Sequence, residues 1–239
     1  MMEYSRTKIA RLAGSMYLLL ILFGVVSIMY IPSQIIVWDD AAQTVQNIKQ
    51  NKTLFELGII FGIFCYLSYL FLALALFQLL KEVNKIHAWI MLILVSVSVP
   101  IALSSVISQM DIISLLEEKH YMQAIDEGLL HAKVMLSLDS FNNGIIVAQV
   151  FWGLWLFPFG YLVYTSGFLP KFLGVMLMIG CFYYFMASIA QIGFPSYNEG
   201  IIDTGLSFCA MIGEFGICLW LLIIGDRSGV FKKKKQQLA

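Results

Sequence analysis

Charge is scarce in this sequence. Asp, Glu, Lys and Arg together make up 13% of 239 residues, about half the share of a soluble globular domain. With 60% hydrophobic residues and a mean hydropathy of +0.83, the chain has too little polar surface to wrap a soluble globule. Cysteine is equally thin. The four present, Cys65, Cys181, Cys209 and Cys218, each fall inside an apolar run. Neither their spacing nor their setting fits a disulfide framework or a zinc knuckle, and they read as small embedded hydrophobes. Three histidines are fewer than a multi-histidine membrane hydrolase needs. No HExxH, GxSxG, P-loop or dinucleotide glycine pattern occurs. Nothing marks a nucleic-acid partner, and no cofactor is expected.

What is present is a set of six long apolar runs. They predict spans at about 9–30, 54–80, 88–109, 144–164, 171–192 and 204–225, with loops at 31–53, 110–143 and 193–203. Only helices of this kind satisfy their backbone groups in lipid without an edge or a closed barrel. The expected fold is therefore all-α: a six-transmembrane-helix bundle forming a single integral membrane domain over residues 1–239. The first run follows Arg6, Lys8 and Arg11 but is too long for a signal-peptide core and lacks a small-x-small cleavage site, so it reads as a retained span.

The formal net charge of zero conceals a dipole. Eleven basic residues fall at one side of the alternating topology: Arg6, Lys8, Arg11, Lys81, Lys85, Lys171, Arg227 and Lys232 to Lys235. Only Glu3, Glu82 and Asp226 join them. The other side holds four lysines (Lys49, Lys52, Lys119, Lys133) and eleven acids. The lysine and arginine bias orients the chain by the positive-inside rule, so both termini are expected on the cytoplasmic face of the cytoplasmic membrane. The polybasic tail reads as an orientation anchor, or as a contact for anionic lipid.

Local signals refine the picture. Pro32 is expected to end the first span, and Pro100 and Pro158 to kink the third and fourth. Asp40 can cap a short helix in the first loop, with Trp38 at the interface. Gly58 and Gly62 form a small-xxx-small face on the second span. Between spans three and four, Ile112, Leu116, Ile125, Leu129, Ala132 and Leu136 recur at roughly helical spacing with acids between them. That predicts an amphipathic extracytoplasmic helix, running on into the fourth span with a break at Asn142-Asn143-Gly144. The hairpins joining spans two to three and four to five share a spacing, which suggests an internal repeat.

Glu214 is the sharpest chemical signal. It lies near the middle of the last span, where an acid costs about 3 kcal/mol on insertion scales. It is either protonated there or faces a polar cavity and pairs. Gly213 and Gly216 leave room beside it for a neighbour's backbone or a ligand. The other embedded polar groups, Glu56, Ser105, Gln109, Gln149, Ser188 and Gln191, gather in the outer halves of their spans. They suggest an outward-facing cavity narrowing toward Glu214, or else hydrogen bonds that lock helices together. Trp152 and Trp155 belong to a dense aromatic stretch that lines a pocket or forms a lipid-facing belt. His120, Glu127 and His131 share roughly one helical face and are the weak candidates for a metal, with Glu117 or Asp139 in reach; no metal signature accompanies them.

Three stretches carry a family likeness. They are Asp40-Ala41, Thr44, Asn47-Ile48, Leu54-Phe55 and Leu57-Gly58; the turn Ser166-Gly167-Phe168-Leu169-Pro170-Lys171-Phe172-Leu173-Gly174; and Gly213-Glu214 followed by Leu219-Trp220-Leu221. In order and spacing the chain resembles, from Arg11 to Gly225, the bacterial multi-pass membrane family catalogued as domain of unknown function 4386. It departs at Phe151-Trp152-Gly153, where two phenylalanines would precede the glycine, and a histidine expected shortly after is absent. The resemblance implies topology and carries no activity. The expected function is binding or transport of a small apolar or amphipathic molecule in an outward-facing intramembrane pocket. The alternatives are a structural or regulatory membrane subunit, or a membrane-embedded metal-dependent enzyme using Glu214 or Asp139. Membrane lipids are the expected partners, and an oligomer is compatible with the sequence.

Overall fold

The computed structural model describes residues 2–117, 126–194 and 201–225, with the backbone alone at 2–5 and 201–204. His120, the polybasic tail and part of the expected amphipathic helix lie outside the described residues. Every element among the described residues is helical: α1 (Met2–Gly24), α2 (Ile31–Ile35), α3 (Ala41–Gln50), α4 (Lys52–Leu80), α5 (Lys85–Leu116), α6 (Glu127–Leu154), α7 (Leu156–Thr165), α8 (Lys171–Gly193) and α9 (Ile201–Leu219). Two π-helical segments, Val25–Tyr30 and Trp220–Ile224, extend α1 and α9.

Six of the resulting rods are long and apolar enough to cross a membrane: Arg6–Ile35, Lys52–Leu80, Lys85–Leu116, Glu127–Thr165, Lys171–Gly193 and Gly205–Ile224. At 1.5 Å per residue, the 29 residues of α4 reach roughly 43 Å, beyond a hydrocarbon core of about 30 Å. Successive rods pack side by side, and α9 with its π segment returns to α1. The bundle is therefore a closed ring whose first and last members touch. Leu72, Leu76, Met91, Val95, Leu156, Phe159 and Leu162 fill its interior.

One end of the bundle gathers the two tight turns, 81–84 and 166–170, together with residues 6 and 225. Arg6 sits over the Phe168 ring at 5.2 Å, and Thr7 lies against Gly225. Asn84 caps α5 by accepting from the N–H groups of Ile86 and His87, both at 3.1 Å. Gly167 takes φ +73° in the second turn, a conformation open to glycine at little steric cost. The opposite end carries α2 and α3. There Asp40 Oδ1 accepts from Gln43 N–H at 2.8 Å, the cap its position suggested.

The prolines act differently from one another. Pro32 does not end the first span. It occupies the first turn of α2, where its missing N–H is no loss, and the preceding segment widens to π geometry, with Ile31 N–H donating to the Val26 carbonyl. The rod runs on to Ile35. Pro100 sits inside a single uninterrupted α5. Pro158 does interrupt its helix. It cannot donate to the carbonyl four residues back, and the α6–α7 junction falls at Trp155. The expected break at Asn142-Asn143-Gly144 is absent: α6 passes through it, and Gly144 lies directly against the Ser105 side chain of α5.

The Gly58/Gly62 face of α4 receives the first span, with Ile31 and Ser27 against it. The tightest approach to another helix's backbone is at Gly14 of α1, pressed onto the Leu222 backbone of the last span so closely that a Cβ there would overlap it. Gly14→Ala should therefore force the ring open at this point and cost about 1–3 kcal/mol. Thermal unfolding in mild detergent checks this, with Gly193→Ala, whose added Cβ meets nothing, expected to leave the midpoint nearly unchanged.

Candidate functional site

Just above the Gly14 contact, α1 and α9 begin to part, and the space between them deepens into a cavity of about 300 Å³. Its walls come from α1 and its π segment, α4, the α6–α7 junction, α8 and α9. Glu214 stands at the floor. The Tyr17 hydroxyl donates to Glu214 Oε2 at 3.2 Å, and Tyr184 is a second phenol interacting with the same carboxyl group. Glu214 Oε1 is buried and takes no hydrogen bond among the described residues. Beside it, Gly213 meets the Met176 and Leu177 backbone of α8, so the glycine makes room for a neighbouring helix.

Aromatic rings form most of the wall. Tyr69 stands edge-on to both Trp155 and Trp152, with centroids 5.2 and 6.5 Å away. Tyr66 stacks on Trp152 at 6.2 Å, and Tyr17 leans on Trp155 at 6.3 Å. The helix break before Pro158 places Trp155 in this wall with only 2% of its surface exposed, backed by Phe159 at 5.0 Å. Three polar atoms on these rings, Tyr66 Oη, Tyr69 Oη and Trp152 Nε1, are buried and have no hydrogen-bond partner among the described residues. With Glu214 Oε1, that makes four unpaired polar atoms on residues lining one cavity. Buried polar groups are normally paired, because an unpaired one costs about 1–3 kcal/mol.

The cavity is not sealed. It shares Ile21, Val25, Met29, Tyr184 and Glu214 with a larger groove of about 930 Å³ that runs between the first span and α8 and α9. The groove extends away from the end that holds the tight turns, as far as Met29 and Gly205. Its rim is apolar and faces outward: Val25, Met29, Phe208, Met211 and Phe215 are each about half exposed. The π segment Val25–Tyr30 supplies two of these residues, a placement in keeping with the frequent use of π geometry at functional positions.

Of the residues singled out from the sequence, Glu214, Trp152 and Trp155 meet at this cavity. The others do not. Ser105 and Ser188 each donate to a carbonyl one turn back in their own helices, Ile101 O at 2.9 Å and Tyr184 O at 2.8 Å. Gln109 is buried beside Ser27 and Phe55 in a gap of about 10 Å³ under α2. Glu56 pairs with Lys52 at 3.7 Å, Gln149 is half-buried on α6, and Gln191 is exposed near the end of α8. Polar groups in the expected outer half thus serve their own helices more than a cavity. Glu127 and His131 approach to 3.8 Å across one turn, and no cluster of three or more metal-ligating side chains occurs among the described residues. Tyr17, Tyr66 and Tyr69 are the lining tyrosines that sequence reasoning passed over. Their signal was available: phenols deep in apolar runs that also contain a buried acid.

Residues 12–225 match the family described as Domain of unknown function (DUF4386), and the chain belongs to it. It is a membrane protein of a family whose function is not established. It is also 30% identical over 90 residues to an uncharacterized protein of Archaeoglobus fulgidus. That match covers 38% of this chain and about half, 51%, of the relative. No solved structure matches the chain.

The Tyr17–Glu214 bond joins the first span to the last. A double-mutant cycle of Tyr17→Phe and Glu214→Gln should return a coupling energy between about 0.6 and 1.7 kcal/mol, the average and the maximum found for hydrogen bonds between membrane helices. Unfolding titrations of the four proteins in detergent provide the measurement.

Proposed function

We propose that this protein binds, and in binding serves to carry or present, a small apolar or amphipathic molecule held in the cavity above Glu214. One observation carries the reading. Four buried polar atoms on residues lining a single cavity are left unpaired, although each could be satisfied by a guest at modest cost. Glue between helices would leave such groups bonded to one another. The size is right for a compact guest, at the lower limit of small-molecule pockets, and the apolar rim suits a molecule dissolved in lipid. The groove extends toward the end opposite the tight turns. With Lys81, Lys85 and Lys171, the basic residues at and beside the two turns, on the cytoplasmic side, the cavity opens in the outer half of the cytoplasmic membrane, and both termini are inside.

Native mass spectrometry on protein released from mild detergent should find one small molecule per chain. Gly24→Phe is the matched variant. A Cβ at Gly24 meets only the Cys65 sulfur, at 3.4 Å, and Cys65 lines the same cavity. The aromatic ring should fill the space and abolish the bound mass while the protein stays folded. Bare wild-type protein, or phospholipid in no fixed ratio, would instead favour a purely structural subunit. The orientation has its own check in a bacterial host. A fluorescent protein fused after Ala239 should mature and glow, while alkaline phosphatase fused there should be inactive; the reverse pattern would invert the topology.

A further inference from the structure

The lining chemistry narrows the class of guest, given the pocket reading above on which this inference rests. We infer that the cavity takes a lipophilic organic cation, an amine or quaternary ammonium attached to an apolar body. Two independent features converge on it. The first is charge. Glu214 is the only carboxylate lining the cavity or its groove, and no Lys, Arg or His lines either among the described residues. An anionic headgroup would meet an acid and no counter-charge. A neutral guest would leave any charge on Glu214 uncompensated in an apolar surround, where an unpaired charge is strongly unfavourable. A cation supplies what is missing.

The second feature is the ring array. Tyr17, Tyr66, Tyr69, Trp152, Trp155 and Tyr184 surround the space above the acid. Aromatic faces attract ammonium groups within about 6 Å of a ring centroid, tryptophan most strongly, and cages of such rings recognise quaternary ammonium ligands. Tyr69 is crossed edge to face with Trp155 and Trp152, at 81° and 80° between planes, and Tyr17 is tilted 54° to Trp155, while Tyr66 stacks on Trp152. Such crossing points rings in several directions at one volume, which a flat stack would not do. The hydroxyl groups of Tyr66 and Tyr69 and the Trp152 N–H add donors for an ester, ether or carbonyl oxygen near the cationic head. The apolar body then lies along the groove between the first span and α9, among Val25, Met29, Phe208 and Met211, each half exposed.

An isosteric pair of probes separates charge from shape. Phenyltrimethylammonium and tert-butylbenzene differ by one nitrogen for one carbon and by one positive charge. Binding of each to the full chain in a nonionic detergent is followed by quenching of tryptophan fluorescence and by competition calorimetry. The cation should bind at least tenfold tighter than its neutral twin. Glu214→Gln should bring the two within about twofold, while Glu214→Asp, which keeps the charge, should retain most of the preference. Trp155→Leu should weaken the cation several-fold more than the neutral probe. Equal binding of the two probes to the wild type, or tighter binding of tert-butylbenzene, overturns the cation class and leaves the pocket standing. Failure of both probes to bind overturns the pocket reading as well. If Glu214→Gln fails to fold, the wild-type comparison and Trp155→Leu still decide the matter.

Discussion

A single carboxyl group organises this bundle. Glu214 lies deep in the last span, and the hydroxyl it accepts from belongs to Tyr17 in the first. A polar group at that depth has no water to turn to, so its satisfaction must come from another helix or a guest. The ring of helices is thereby joined at its two ends by one polar bond, and the Gly14 contact a turn below brings the backbones close enough to make it. Above that bond the same two helices separate. Closure and cavity are thus two consequences of one arrangement: the acid pulls the spans together at its own level and leaves them free beyond it.

The aromatic wall depends on a second constraint, the missing donor of proline. Pro158 breaks the fourth span at Trp155, and the residue at the break is buried among the cavity rings. Pro32 acts more gently. It is accommodated by a widened π segment whose residues Val25 and Met29 form part of the groove. Both prolines therefore lie within a turn or so of the site, while Pro100, in an unbroken α5, lies on a rod that contributes nothing to the cavity wall. The π segment Val25–Tyr30 and the helix break at Trp155 thus both border the space.

The sequence made the spans legible because their signal is summed over about twenty residues each, so that no single substitution obscures it. Asp40 as a cap and Gly58/Gly62 as a contact face were legible for the opposite reason, since each is a local geometric requirement met by few residue types. Glu214 stood out because its position is energetically improbable without a role. The rest of the site was not legible. Ser105 and Ser188 looked like cavity or interhelix groups, yet a serine in a helix can always bond its own preceding turn, and composition cannot tell the two apart. Tyr17, Tyr66 and Tyr69 were hidden by their hydrophobic bulk: a phenol in an apolar run reads as core until the helix rotation that aims it is known. Pro32 misled because a proline at the start of a new turn and a proline that ends a helix are the same letter in the same company.

The helices of this bundle pair mostly with their sequence neighbours, but the ring is completed by its last member. Synthesis proceeds from the N-terminus, so α1, α4 and α5 can assemble as they emerge, while Tyr17 waits for a partner that is 197 residues away. Until the final span is made, the cavity lined by Tyr66, Tyr69 and Trp152 lacks the wall that carries Glu214. Chain order thus makes the site the last part of this protein to exist.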